Sequence, residues 1–306
     1  MRVAILFTDG VGVGPHAPAT NPLTRRPWLL SQFDDGGTSL PHGGTRHDVD
    51  TTFGVEGRPQ SASNQTAIFT GQPAPRILGR HVLGYPNAPL RGLLAAHSIV
   101  RKVTESGRSA TFANAYPAGY LDALQLRRRP SEGVDVQIPA RFLRRLKPSA
   151  STLAMAAGGV LLRTLDDARN GEGLTHDVDG STAAKRKLVV PSRNAQDAAA
   201  IFWKLSADLT LFEHYLADEA GHAQDLAAAE HALETFDGFA RAVIEHRPAD
   251  CQVLICSDHG NVEDLSTRGH TRNPVAVLSF GEGKLPAMQT VADVGTAALA
   301  LLGVAA

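Results

Sequence analysis

The chain has 306 residues but little cysteine, almost no net charge and no long apolar run. Its two cysteines, Cys251 and Cys256, are five positions apart in one apolar segment, so we expect them on opposite faces of a strand without a disulfide. Low cysteine use is typical of a reducing compartment, and we predict a cytoplasmic protein. A net charge of -1 produces no overall field that would favour nucleic acid or a membrane surface.

No apolar run approaches the roughly 20 residues that a membrane-spanning helix needs, so we expect no membrane partner. The segment Arg2–Phe7 is apolar but short, and a glycine-rich turn follows it. This pattern predicts the first strand of the fold rather than a signal peptide. Nothing in the sequence indicates the oligomeric state.

Strand and helix patterns alternate at both ends of the chain, which predicts an α/β fold with a mostly parallel central sheet between helices. The pattern changes near residue 115. From there to about residue 195 the elements are short and basic residues occur in patches. We therefore predict a metal-binding catalytic core from residues 1–114 and 196–306, with residues 115–195 inserted as a small cap or lid.

The most informative segment is Ser257–Asn261, which follows the apolar run Leu254–Cys256. It places Asp258 and His259 at the predicted carboxyl end of a strand, where sites form in open α/β sheets. A third metal-ligand type, His270, follows eleven positions later. Carboxylate and imidazole groups at such an edge are suited to holding a metal ion.

Three further clusters carry similar chemistry. Asp9 ends the first predicted strand and precedes Gly10, where it could bind a cation or cap a turn. Asp218 and His222 are four apart, so a helix would present both on one face. Ser61 opens a predicted helix whose N-terminal N–H groups suit a phosphate, although an ordinary helix cap is the alternative.

These motifs resemble the alkaline phosphatase superfamily, and most closely its cofactor-independent phosphoglycerate mutases and phosphopentomutases. The resemblance covers residues 1–114 and 197–306. It is carried by S-D-H-G-N-V-E-D at 257–264, H-T-R-N-P-V at 270–275, D-E-A-G-H at 218–222, and the closing segment 290–303.

The resemblance implies two divalent metal ions, and the mixed ligands suit Mn²⁺ or Zn²⁺. Carried over by position, the pattern assigns one ion to Asp9, Asp258 and His259. It assigns the other ion to Asp218, His222 and His270.

The resemblance also implies a serine nucleophile ten residues before Gly71, which is Ser61, with Ser63 as the alternative. Where the family usually has glycine, this chain has Asn64, which we place with the substrate-binding residues. Further candidates to bind substrate are arginines of the predicted cap or its boundary: Arg127, Arg128, Arg144 and Arg193. A solvated basic surface is the alternative for each arginine.

Three functions remain open at this point. The short cap favours a phosphohydrolase that acts on a small phosphate ester through a phosphoserine. A phosphomutase is the second possibility and needs a pocket that excludes water. A metal-binding scaffold without turnover is the third.

Overall fold

The computed structural model describes residues 1–130, 140–143 and 145–306. The strands are β1 Arg2–Thr8, β2 Gln32–Phe33, β3 Gly36–Gly37, β4 Thr45–Val49, β5 Ala110–Phe112, β6 Ala115–Tyr116, β7 Arg163–Thr164, β8 Leu209–His214, β9 Cys251–Cys256 and β10 Val275–Phe280.

The helices are α1 Ser61–Thr70, α2 Ala74–Leu78, α3 Ala88–His97, α4 Ile99–Glu105, α5 Ala118–Ala123, α6 Ala140–Leu143, α7 Ala150–Ala157, α8 Leu165–Arg169, α9 Ser181–Lys185, α10 Ala195–Lys204, α11 Leu216–Ala223, α12 Leu226–Glu245 and α13 Ala292–Leu302. Within the described ranges, no helix combines the length and apolar character needed to cross a bilayer.

The central sheet has six strands in the order β4-β10-β9-β1-β8-β5. Strand β1 pairs in parallel with β8 and β9, and β5 pairs in parallel with β8. Strand β10 is antiparallel to both β9 and β4. The predicted fold class, a mostly parallel sheet between helices, is therefore confirmed.

Side chains alternate between the two faces of the sheet along each strand, and an apolar core covers each face. Val3, Ile5 and Phe7 of β1 lie in one apolar core, which α1, α3, α4, α7 and α13 help to form. Ala4 and Leu6 lie in the other core, which α10, α11 and α12 help to form. The two buried cysteines of β9 also lie in different cores, as predicted from their spacing.

Two local predictions differ from the structure. The pattern of residues 90–104 predicts one helix, but the structure has two, since Ser98 leaves the helical conformation and its side chain caps α4. Residues 15–60 are rich in proline, glycine, aspartate and threonine, which predicts loop with short elements, but they contain β4, an edge strand with polar side chains. Pairing with β10, rather than local periodicity, makes this segment a strand.

The segment 115–195 contributes side chains to one of the two apolar cores of the central sheet. Ala150, Ala154 and Met155 of α7 lie in the core that contains α1. Strands β6 and β7 form a separate two-stranded sheet. The division of the chain into a core and an inserted cap stays a prediction.

Candidate metal centre and nucleophile

The candidate site lies at one edge of the central sheet. Asp9 follows β1, Asp218 lies in the helix after β8, and Asp258 follows β9. The carboxyl ends of these three parallel strands meet at this edge. His270 reaches the same edge because β10 is antiparallel, so the residues that precede it lie where β9 ends.

One cluster contains Asp9, Asp258 and His259, all buried. The Nε2 atom of His259 lies 3.4 Å from Asp9 Oδ1 and 3.4 Å from Asp258 Oδ2. A ligand atom from each of the three residues lies within 4.8 Å of the others. This separation allows one ion to contact all three side chains.

The second cluster contains Asp218, His222 and His270. His222 Nε2 lies 3.2 Å from Asp218 Oδ2 and 3.2 Å from His270 Nε2. The Nδ1 atoms of both histidines point away from this cluster. His222 Nδ1 lies 2.6 Å from the carbonyl oxygen of Arg268, and His270 Nδ1 lies 2.8 Å from that of Pro59. A backbone carbonyl at Nδ1 favours the tautomer in which Nε2 is free to bind a metal.

The two clusters are adjacent, because the imidazole rings of His259 and His270 stack with centroids 3.7 Å apart. Asp218, His259 and His270 also present ligand atoms within 4.8 Å of one another. The structure thus brings all six predicted metal ligands to one place, although they are drawn from segments up to 261 positions apart.

Ser61 lies at the first position of α1 with its Oγ atom 2.9 Å from His259 Nε2. Ser63 is fully buried, and its hydroxyl donates to Gln60 O and accepts from Val82 N. A hydroxyl held by two partners is poorly placed to attack a substrate. The geometry therefore favours Ser61 over Ser63 as the nucleophile.

Asn64, which the sequence predicts to bind substrate, donates its side-chain hydrogen bonds to the backbone. The side chain is fully buried, and its Nδ2 donates to the carbonyl oxygens of Thr51 at 2.8 Å and Asp258 at 2.9 Å. Both amide hydrogens are used on the backbone. Asn64 consequently ties α1 to the loop that carries Asp258.

Gln65 contacts both carboxylates of the first cluster, although no sequence motif indicated it. Its Nε2 donates to Asp9 Oδ2 at 3.0 Å and to Asp258 Oδ2 at 3.1 Å. It thereby fixes the two carboxylates relative to α1. One turn of helix separates it from Ser61, and that spacing could have indicated that both side chains face the same site.

Glu263 was also missed, although it belongs to the quoted S-D-H-G-N-V-E-D motif. Its buried Oε2 accepts from the backbone N–H groups of Gly12 at 3.0 Å and Asn261 at 2.8 Å. Its Oε1 accepts from the side chains of Thr271 and Asn273. One carboxylate therefore joins the loop after β1 to both ends of the connection between β9 and β10.

Gly10 and Gly12 are required by close packing at these loops. A Cβ atom at Gly10, whose φ is 73°, would meet Asp218 Oδ1 at 2.6 Å and Asp218 Cα at 2.8 Å. A Cβ atom at Gly12 would overlap the carboxylate of Glu263. The two glycines therefore leave room for the side chains of Asp218 and Glu263.

The first cluster has unusual protonation properties. Burial raises the pKa of Asp9 well above its ordinary value, and the charge of Asp258 raises it further. Burial likewise raises the pKa of Asp258 to about 7, with the charge of Asp218 adding to it. Burial lowers the pKa of His259 to about 4. Burial and repulsion between carboxylates thus disfavour the ionised forms of Asp9 and Asp258.

The second cluster behaves differently. A hydrogen bond to Asp218 raises the pKa of His222 to about 9. Burial acts to raise the pKa of Asp218, but the hydrogen bond with His222 and nearby imidazoles outweigh it and lower that pKa to about 2. Burial lowers the pKa of His270 to about 4. Asp218 is therefore ionised and ready to bind a cation.

These residues fit divalent metal ions. Three carboxylates and three imidazoles converge, and this donor set is typical of transition-metal sites. Asp9 Oδ1 is buried and has no hydrogen-bond partner in the described part of the chain. A buried carboxylate oxygen without a partner is costly, and a cation bound there would offset the cost.

The predicted substrate-binding arginines do not converge on the site in the same way. Arg128 forms a salt bridge with Asp122 at 2.7 Å, and Arg193 donates to the carbonyl of Ala168. Arg127 is exposed, and Arg144 lies outside the described residues. Their substrate contacts stay predictions, and for Arg128 and Arg193 the observed partners favour a structural role.

A family model described as the Metalloenzyme superfamily matches residues 177–306. Phosphopentomutase from Helicobacter acinonychis (strain Sheeba) is 30% identical over 115 residues, which are 36% of this chain and 26% of that protein. Phosphopentomutase from Methylobacterium sp. (strain 4-46) is 38% identical over 94 residues, 28% of this chain and 22% of that protein. The match spans about a quarter of these curated relatives.

Solved structures share the fold over nearly the whole chain. The alkaline phosphatase from the Antarctic bacterium TAB5 aligns with a TM-score of 0.55 at 14% identity, covering 99% of this chain and 98% of that one. The PH0037 protein from Pyrococcus horikoshii aligns with a TM-score of 0.55 at 13% identity, covering 99% and 96%. The chain therefore resembles the Metalloenzyme superfamily over residues 177–306 and shares the fold of the alkaline phosphatase from TAB5 over nearly its whole length.

Proposed function

We propose that the protein is a metal-dependent phosphoryl-transfer enzyme, and that it hydrolyses a small phosphate ester through a phosphoserine at Ser61. The observation that carries this proposal is the position of Ser61 Oγ, 2.9 Å from His259 Nε2 and at the start of α1. One hydroxyl therefore lies beside the ligand-type side chains of the first cluster and at a helix N-terminus.

The proposed reaction has two displacements. Ser61 Oγ forms a bond to phosphorus while the ester P–O bond breaks, and the released alcohol takes up the proton that the serine loses. A water oxygen then attacks phosphorus, which releases inorganic phosphate and restores the serine hydroxyl. The N–H groups of the first turn of α1 are placed to stabilise the equatorial oxygens.

The ligand-type side chains define what bound metal would add. Asp9, Asp258 and His259 would hold one divalent cation, and Asp218, His222 and His270 a second. When bound, Mn²⁺ or Zn²⁺ ions would lower the pKa of the serine hydroxyl and offset charge on the transferring group. The hydrogen bonds of Gln65 and Asn64 fix the positions of Asp9 and Asp258 relative to Ser61.

A phosphomutase is the alternative function, and the phosphopentomutase relatives favour it. The two activities differ only in the acceptor of the phosphoryl group, which is water in the hydrolase and a substrate hydroxyl in the mutase. Phosphate release from phosphomonoesters with Mn²⁺, assayed beside isomerisation of sugar phosphates, separates them. Isomerisation without phosphate release would overturn the hydrolase proposal.

Replacement of Ser61 by alanine tests the nucleophile. We expect Ser61→Ala to lower kcat by at least about a thousandfold, as removal of a nucleophile does in other covalent enzymes, while the far-UV circular dichroism stays unchanged. Ser106→Ala, at the end of α4, is the matched control and should retain full activity. Equal turnover of the Ser61→Ala variant and the wild type would exclude Ser61 as the nucleophile.

A further inference from the structure

A cavity of about 500 Å³ is lined by all four tyrosines of the chain: Tyr85, Tyr116, Tyr120 and Tyr215. Three of them form a continuous aromatic row with His176. The ring centroids of Tyr120 and Tyr116 are 5.6 Å apart, and His176 lies 4.9 Å from both Tyr116 and Tyr215. We call this space the aromatic cavity.

The aromatic cavity lies next to the candidate metal centre. Glu213, which lines it, is part of β8 and pairs with Phe7 of β1. Asp9 directly follows Thr8, the last residue of β1. The charge of Glu213 raises the pKa of Asp9. A substrate whose phosphoryl group is at Ser61 can therefore place its remaining part toward this cavity.

Two buried carboxylates line the cavity, and one of them has an oxygen without a partner among the described residues. Glu213 Oε2 accepts from Ser151 Oγ at 2.8 Å, and Asp177 Oδ2 accepts from Ala183 N at 2.8 Å. Asp177 Oδ1 is buried and has no hydrogen-bond partner in the part of the chain that the structure describes. Such an oxygen is costly in a native structure unless a ligand satisfies it.

The positive charge among the described lining residues of the cavity already has partners. Arg186 is its basic lining residue, but this guanidinium donates to Tyr215 Oη at 2.8 Å and to Glu219 at 2.5 Å. Burial lowers the pKa of His176 to about 4, so that imidazole is neutral. The carboxyl groups of Glu213 and Asp177 are therefore available to a cation, and a bound cation would favour the ionised form of Glu213.

We propose that the aromatic cavity binds a substrate ammonium group, so that the preferred substrate is the phosphate ester of an amino alcohol. This inference rests on the proposed function for the position of the phosphoryl group. Tyrosine ring faces attract organic cations, and two carboxylates supply the opposite charge. Sugar hydroxyls can also donate to carboxylate oxygens, but they carry no positive charge and gain nothing from the tyrosine ring faces.

Matched substrates test the proposal. Phosphocholine and 3,3-dimethylbutyl phosphate have the same shape and differ in the positive charge. With Mn²⁺-loaded protein, we expect kcat/KM to be about tenfold or more higher for phosphocholine, which is the size of a desolvated cation–π contact. Equal kcat/KM values, or a preference for a pentose phosphate over both, would overturn the inference and leave the proposed hydrolase activity standing.

Two variants locate the effect. Glu213→Gln and Tyr85→Leu should each reduce the ratio of kcat/KM for phosphocholine to kcat/KM for 3,3-dimethylbutyl phosphate, because the interactions removed are those with the cation. Tyr85 is half exposed, so its replacement should not prevent folding. Glu105→Gln and Phe142→Leu, at exposed positions outside the cavity, are the matched controls. An unchanged preference in both cavity variants would contradict the assignment.

A binding measurement separates this inference from the proposed function. Choline alone is titrated calorimetrically into the metal-free Ser61→Ala protein, with 3,3-dimethylbutanol as the neutral control. We expect choline to bind, and we expect Tyr85→Leu to weaken this binding. Choline binding without hydrolysis of any ester would refute the hydrolase and support the cavity, whereas ester hydrolysis without choline binding would refute the cavity.

Discussion

Glu213 shows at the scale of one residue how a site can lower stability. It is buried at the end of β8, and burial raises its pKa from 4.5 to about 7 even though Ser151 donates to it. A carboxylate with a raised pKa destabilises the folded state when it is ionised. Such a cost is typical of a residue retained for binding rather than for packing.

This property predicts a pH dependence. The folded protein holds the Glu213 proton up to about pH 7, whereas the unfolded chain loses it near pH 4.5, so this group lowers the free energy of unfolding as pH rises between those values. The loss is at most about 3 kcal/mol. Glu213→Gln should remove it, and urea unfolding of metal-free protein at pH 5 and pH 8 measures the difference. A pH dependence equal to that of Glu105→Gln would contradict the prediction.

At the scale of elements, the site is held by connections between loops rather than by the strands alone. Glu263 joins the loop after β1 to the connection between β9 and β10 through four hydrogen bonds. These two loops carry four of the six ligand-type side chains: Asp9, Asp258, His259 and His270. A change at Glu263 should therefore alter metal binding without touching a ligand.

We expect Glu263→Gln to weaken Mn²⁺ binding by about 10- to 100-fold, the usual result of removing a group that orients metal ligands. An amide cannot accept all four hydrogen bonds, because one of its two terminal atoms is a donor. Isothermal titration calorimetry measures the effect, and the exposed Glu282→Gln serves as the control. Unchanged Mn²⁺ affinity would show that the loops keep their positions without this carboxylate.

At the scale of the whole molecule, metal binding and folding are expected to be coupled. The two clusters draw ligand-type residues from the loop after β1, from α11, and from the segments around β9 and β10. Unfolding separates these segments, so a cation binds the folded protein far better than the unfolded chain. Buried carboxylates that repel one another in the metal-free state add to this coupling.

Mn²⁺ should accordingly raise the free energy of unfolding, by about 4 kcal/mol at a concentration 1,000 times its Kd. Asp258→Asn removes a central carboxylate of the first cluster and should reduce the increase. Thermal and urea unfolding with Mn²⁺ and with a chelator provide the measurement. Identical unfolding curves in the two conditions would exclude a structural coupling between the clusters and the fold.

Local patterns alone were sufficient for much of the fold and for the candidate ligands. The apolar runs of β1, β8, β9 and β10 and the amphipathic pattern of α12 predict elements because side-chain periodicity is a local property. The likeness of the segments around Asp258 and His270 to a known family supplied the chemistry. Ser98, which divides one predicted helix into two, shows where local reading failed.

Tertiary structure alone decided how these pieces meet. The antiparallel direction of β10 brings His270 to the edge that carries Asp258, and periodicity does not encode strand direction. The same holds for Glu263, which links the loop after β1 to the connection between β9 and β10, and for the four tyrosines that line one cavity. Sequence determined which side chains can bind and react, whereas long-range packing determined which of them are neighbours, because adjacency depends on contacts between distant parts of the chain.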